Sequence, residues 1–180
     1  MHIEDCYIAG IKIIKPKVFS DDRGYFYEVF NKKILASVGI DDEFVQYNQS
    51  LSSKNVLRGL HFQVPPFAQA KLVRVLLGSV IDVVVDIRKN SPTYGQHFSI
   101  ELNEENKIMF YMPAGMAHGF ITTSDNTIFT YFVSNYYEKS AEGSLFWNDS
   151  DLNIQWSSEN PIISEKDQVQ NFIKDFKTPF

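Results

Sequence analysis

Cysteine is almost absent: Cys6 is the only one among 180 residues. No disulfide can form within the chain, and a reducing compartment is expected. Positive charge is scarce as well. The 17 Lys and Arg are outnumbered by 22 Asp and Glu, for a formal net charge of −5 and a pI of about 5.3. The general electrostatic footprint of a nucleic-acid binder is missing, so any phosphate has to be held by individually placed cations. Long apolar runs are lacking too. The longest, LVRVLLGSVIDVVVDI, is broken by Arg74 and Asp82 and cannot serve as a membrane span. The first residues, MHIEDCYIAG, carry neither the cationic segment nor the apolar core of a signal peptide. A soluble, cytoplasmic protein with no nucleic-acid or membrane partner is expected. No repeat, low-complexity tract or linker interrupts the chain, so residues 1–180 are expected to form one domain.

Helix signals are few. NKKILASVG offers Asn31 as an N-cap and Gly39 just past the end, which predicts a short helix. Near the C-terminus, SEKDQVQNFIKDF begins with Ser164 and has Asp167 three residues on, which predicts a second helix opened by an approximate capping box. What the chain has in quantity is aromatic residues, 15 Phe and 9 Tyr, which suit packed sheets. YFYEVF, FVQYNQSL, KLVRVLLG, SVIDVVVDI, HFSIEL, KIMFYM and TIFTYFVS read as short strands separated by turn residues such as Gly78, Asn90-Ser91-Pro92 and Ser124-Asp125-Asn126. Strands at this spacing predict an all-β antiparallel sandwich or jelly roll with a few short helices.

The stretch NVLRGLHFQVPPFAQAKLVRV places His61, Arg58, Lys71 and Arg74 among apolar residues. MPAGMAHGF, from Met112 to Phe120, has the Pro-x-Gly-x-x-His form of the second cupin motif, in keeping with a jelly roll. Metal-binding cupins supply further ligands from a first motif with two histidines one residue apart and a following glutamate. Here His61 is followed by Phe62 and Gln63, and no glutamate follows. With His61 and His118 alone, a three- or four-ligand set is not assembled, and no metal is expected.

From about Ile11 to Gln168 the sequence resembles the dTDP-4-dehydrorhamnose 3,5-epimerase family of the cupin superfamily. The segments that carry the resemblance are DDRGYFYEVFN, QYNQSLSSKNVLRGLHFQ, PPFAQAKLVRVLLGSVIDVVVDIRKNSPTYG, MPAGMAHGF, NYY, WNDSDLNIQW and ISEKD. The resemblance implies a cupin-type double-stranded β-helix, or jelly-roll barrel. It also implies inversion of C3 and C5 of dTDP-4-keto-6-deoxyglucose in dTDP-L-rhamnose biosynthesis. Both carbons flank the C4 ketone, so loss of a proton gives an enolate. Such a site needs a base, an oxyanion stabiliser and an acid on the opposite face. The ketone is the electron sink, and no cofactor is implied.

By the same resemblance His61 is the base, and Asp167 the carboxylate that orients it and stabilises the imidazolium. On the residues alone, a hydrogen-bonded core histidine and a helix-capping Asp167 are the commoner fates. Lys71 shares its strand face with Val73 and Val75, an expensive position unless it meets an anion; the family match puts it near the enolate oxygen, against a lysine that snorkels at a strand end. Tyr131 matches the acid, although on residues alone it is one of nine tyrosines. A lysine often follows this tyrosine in the family, where this chain has Phe132, which alternation points away from the site.

Arg23, Glu28, Gln46, Asn48, Arg58, His118, Glu142 and Lys166 fall on family positions that bind the sugar nucleotide, as does Lys71. Arg23 and Arg58 suit the diphosphate, since guanidinium forks match phosphate oxygens; Arg23 in SDDRGYF reads equally as part of an exposed turn. Tyr137 matches an aromatic that stacks on thymine, with Tyr136 beside it as a packing residue. Next to Glu142 the family often has arginine, and this chain has Gly143. The resemblance implies a homodimer with strand exchange, Arg23 and Glu28 reaching the partner's site, and the stretch YIAGIKII reads as an edge that needs pairing. Rival readings are an epimerase of C3 alone or of another 4-keto-6-deoxy sugar nucleotide, a non-catalytic sugar-nucleotide-binding cupin, and a cupin oxygenase.

Overall fold

The computed structural model describes every residue from Met1 to Phe180. Strands dominate, and all ladders between them are antiparallel. One sheet has six strands: β1 (His2–Asp5), β2 (Lys12–Lys15), β5 (Gln46–Ser52), β7 (Lys71–Leu77), β10 (Met109–Met112) and β12 (Thr127–Val133), in the order β1-β2-β10-β7-β12-β5. The second has five: β6 (Leu57–Gln63), β8 (Ser79–Asp86), β9 (His97–Asn103), β11 (Met116–Thr122) and β13 (Glu142–Ser144), in the order β13-β6-β11-β8-β9. A separate hairpin joins β3 (Phe19–Asp21) to β4 (Gly24–Phe26). Two such sheets face to face, with the strands from β5 to β13 alternating between them except at the β8–β9 pair, form the cupin-type jelly roll.

The core has three parts, and the sequence pattern explains them. Between the sheets lie Val73, Val75, Val80, Val84, Phe110, Phe120 and Phe129. Behind the second sheet, Val83, Val85, Leu60 and Phe62 pack against Leu145, Leu152, Ile154 and Ile173 from the C-terminal third. Behind the first, Leu72, Met109 and Tyr111 pack against Leu35 and Ile40. SVIDVVVDI therefore reads as a continuous apolar run because β8 is covered on both faces. Its even-numbered residues face the other sheet and its odd-numbered ones the C-terminal segments.

Helix α1 (Lys32–Ala36) forms where expected: the Asn31 side chain accepts from the Lys33 and Ile34 amides, and Gly39 follows at φ +84°. The second expected helix does not form. Residues Glu165–Gln168 and Ile173–Asp175 make only short 3-10 turns, and Ser164 makes no side-chain cap. The Ser164 hydroxyl donates instead to the Asp167 carboxylate at 2.8 Å, which diverts both members of the apparent capping box. YFYEVF is a strand only as far as Phe26, and YIAGIKII only from Lys12. Moreover β2 lies between β1 and β10, so the edges of its sheet are β1 and β5. No helix is long and apolar enough to cross a membrane.

Candidate active site

A cavity of about 330 Å³ opens between the two sheets. The second sheet contributes Arg58 and His61 from β6 and His118 from β11, and the first contributes Lys71 from β7 and Tyr131 from β12. Alternation explains most of these directions. Lys71 shares a face with Val73 and Val75, Tyr131 with Phe129, and His118 with Met116 and Phe120. Phe132 points the other way and packs on Tyr47, with ring centroids 4.5 Å apart.

Arg58 and His61 are three residues apart, and in a regular strand they would face opposite ways. The ladder between β6 and β11 breaks between them: His61 pairs with His118, whereas Arg58 pairs with Phe120. Three steps along β6 thus match two along β11, which is a bulge, and it turns both side chains into the cavity. The extra residue falls at Gly59, whose φ of +135° disfavours any other residue, and a Cβ there would sit 2.4 Å from the Gly119 Cα.

The cavity is roofed by the turn that holds Asp167. Ile162 is tied to the start of β6, donating to the Asn55 carbonyl at 2.7 Å and accepting from the Leu57 amide at 2.9 Å. The chain then turns over β6, and Asp167 Oδ1 forms a short hydrogen bond with His61 Nε2. Burial pushes the Asp167 carboxyl up, but the His61 hydrogen bond and charge, with Ser164 and Lys166, hold it below the usual carboxylate value. With Nε2 engaged, Nδ1 is the His61 nitrogen left to exchange a proton.

Across the cavity, burial draws Lys71 down to about 8 against the opposing charges of Asp82 and Glu142, and its ammonium donates to the His61 carbonyl at 3.2 Å. Burial raises the Tyr131 phenol, with Arg58 and Lys166 pulling the other way. His118 Nε2 lies 2.9 Å from Asp82, and burial pushes the imidazole down, towards its neutral form. Arg58 is steadied by Ser52 Oγ, which accepts from its Nε and Nη2 at 3.3 and 3.2 Å.

At the rim, Glu142 accepts from Lys166 Nζ at 2.6 Å and from the Tyr137 hydroxyl at 3.2 Å. Gln46 accepts from the Tyr137 amide at 3.0 Å and donates to Asn48 at 2.8 Å. Eleven of the expected residues thus gather in or around one opening. Tyr136, expected to pack, is more exposed than Tyr137, at 64% against 54%. Gly143 has a local reason: a Cβ there would meet the Phe62 ring at 2.4 Å, leaving no room for arginine. Two residues stand apart. Arg23 is on the exposed β3–β4 hairpin, its guanidinium 2.5 Å from Asp21, and Glu28 accepts from Asn31 at 3.1 Å.

Sequence reasoning passed over Asp82, Ser164 and Ser50, whose buried hydroxyl lines the cavity side of β5 without a protein partner. Asp82 carried the same signal as Lys71, a lone charge between inward valines. No group of three or more His, Cys, Asp or Glu is arranged to hold a metal ion. Both cavity histidines instead direct Nε2 at a carboxylate of their own.

Residues 5–175 match the family model for dTDP-4-dehydrorhamnose 3,5-epimerase. The Shigella flexneri protein of that name is 48% identical over 168 residues, spanning 93% of this chain and 93% of its own. The crystal structure of the Elizabethkingia anophelis enzyme superposes with a TM-score of 0.93 at 48% identity, over 97% of each chain. That of the Legionella pneumophila epimerase in complex with dTDP-4-keto-L-rhamnose gives 0.92 at 44% identity, over 96% of this chain and 93% of that one. Motifs, jelly roll, cavity and relatives converge: the chain belongs to the dTDP-4-dehydrorhamnose 3,5-epimerase family.

Proposed function

We propose that this chain, acting as one cupin domain, inverts C3 and C5 of dTDP-4-keto-6-deoxy-D-glucose to give dTDP-4-keto-L-rhamnose without a cofactor. The observation that carries this reading is the placement of His61 and Tyr131 on facing sheets across one cavity. An inversion needs a proton removed from one face of a carbon and returned to the other. His61, steered by Asp167, takes the proton. The electrons pass to the C4 oxygen, where the Lys71 ammonium stabilises the enolate. Tyr131 then delivers its proton from the opposite side. Its raised pKa keeps the phenol protonated until the carbanionic carbon needs it.

Arg58 meets the diphosphate, His118 the sugar, and Tyr137 the thymine ring, at the rim it shares with Gln46, Asn48, Glu142 and Lys166. Turnover of dTDP-4-keto-6-deoxyglucose in deuterated water tests the reaction. Deuterium at both C3 and C5 of the product is expected. Deuterium at C3 alone would make this an enzyme of single inversion, and none at either carbon would overturn the reading.

We also infer a homodimer in which Arg23 and Glu28 serve the partner's site. The β3–β4 hairpin is free of both sheets and carries exposed Phe19, Tyr25 and Phe26. The seven-residue edge strand β5 bears exposed Tyr47 and Leu51. Sedimentation at micromolar concentration should give twice the chain mass; a fully active monomer would defeat the inference.

A further inference from the structure

The Asp167 carboxylate is held at both of its oxygens. Oδ1 is engaged by His61 Nε2, and Oδ2 accepts from the Ser164 hydroxyl at 2.8 Å. No other group donates to either oxygen, and the ammonium next in the chain, Lys166, goes to Glu142 at 2.6 Å. With its side chain only 2% exposed, Asp167 has almost no water to fall back on. Ser164, by contrast, is exposed and lines the cavity.

The serine sits where the roof is tied to the base's own strand. Two residues before it, Ile162 bonds to Asn55 and Leu57 at the start of β6, and His61 lies further along that strand. Ser164 then opens the 3-10 turn Glu165–Gln168, in which the Asp167 amide donates to the Ser164 carbonyl at 3.0 Å. The backbone bond places the Asp167 Cα, but not its carboxylate. A carboxylate held by one oxygen can still turn about its Cβ–Cγ bond, a torsion with broad minima. The Ser164 hydroxyl removes that freedom, so Oδ1 stays aimed at His61 Nε2.

We propose that Ser164 is a positioning residue for the base: its hydroxyl locks the Asp167 carboxylate and so holds His61 in the orientation that takes a proton. The proposal rests on the epimerase reading for its kinetic arm. Ser164 acts through Asp167 and touches no reacting atom. The demand on orientation is strict, because one imidazole serves two carbons of one ring and small misplacements cost rate heavily.

Ser164→Ala removes the hydroxyl at an exposed position and leaves the core packing as it is. Its kcat should fall about tenfold, the worth of one hydrogen bond to a charged group, with KM little changed. Deuterium exchange at C3 and at C5 should fall in the same proportion, since His61 serves both. Ser164→Thr keeps the hydroxyl and should recover most of kcat. A second measurement needs no turnover. The His61 Nε2 proton, followed by NMR in ¹⁵N-histidine-labelled protein and assigned with His61→Ala, should exchange with water about tenfold faster in Ser164→Ala. An unchanged kcat overturns the proposal, as does an equal loss in the Ala and Thr variants. A raised KM at constant kcat would make Ser164 a substrate contact and overturn it too. A native chain that never epimerises would refute the epimerase reading instead. The proton exchange would still judge Ser164, and an unaltered rate would overturn its role.

Discussion

Two histidine–carboxylate pairs stand side by side, since His61 and His118 are register partners on adjacent strands. They are built differently. His118 and Asp82 lie within one sheet, with side chains 7% and 0% exposed. His61 belongs to a strand and Asp167 to a turn 106 residues later, and the His61 side chain is 25% exposed. Burial dominates at Asp82 and raises its carboxyl, whereas the hydrogen bond and charge of His61 outweigh burial at Asp167 and lower it. Identical residue types thus take opposite electrostatic states. The pair with an open side suits proton exchange, whereas burial draws both members of the enclosed pair towards their neutral forms.

The sharpest way to break that contrast is His61→Ala. Deuterium exchange at both C3 and C5 should fall by about 10²- to 10⁴-fold. Exchange surviving at one carbon at a near-native rate would show a second base, with His118 the nearest imidazole. Tyr131→Phe should lower epimerised product by about 10²-fold while leaving the fold and dTDP binding intact. Part of the exchange should persist with retained configuration, because His61 can return a deuteron to the face it came from. Native-like epimerisation in this variant would make Tyr131 a packing residue.

A smaller effect belongs to stability. The folded Lys71 value of about 8 lies below the value of about 10.4 expected for an unfolded lysine, so between them the unfolded chain binds more protons. Stability should therefore rise from pH 8 to pH 10 as turnover falls, by at most about 3 kcal/mol. The difference in denaturant midpoint between the native chain and Lys71→Met isolates this term. A difference constant with pH would place Lys71 in water. The smallest expected effect is none: dialysis against a chelator should leave turnover unchanged, and a loss restored by a divalent ion would bring metal into the mechanism.

Legibility in the sequence followed from how local each signal is. β7, β8, β9 and β12 were readable because alternation and turn residues are properties of neighbours. β6 and β11 were not named as strands, since Gly59, Gly119 and the histidines interrupt their patterns. Ser164 and Asp167 mimicked a helix cap because their actual partner, His61, lies 106 residues away. The residues of the rim came from family resemblance, since nothing local joins Gln46 to Tyr137. Asp82 carries a pattern like that of Lys71, but a charge inside an apolar run reads first as an interruption of a membrane span.

The bulge at Gly59 gives the site a property of parity. Along a regular strand, side chains on one face are separated by even numbers of residues, at about 3.3 Å per residue. A ligand held at two points by such a strand is measured in steps of roughly 6.6 Å. One added residue gives β6 an odd step, so the distance from Arg58 to His61 falls between the spans an unbroken strand can offer. On the proposed reading, that distance is the interval between the diphosphate and the reacting ring. Deleting Gly59 would not merely shorten it; the strand would return to even counting, with both side chains on one face at a two-residue span. A second inserted residue would give the next even count, with both side chains on one face at a four-residue span. The ruler works at one length, and an unbranched residue that tolerates both the turn and the close approach of Gly119 marks its graduation.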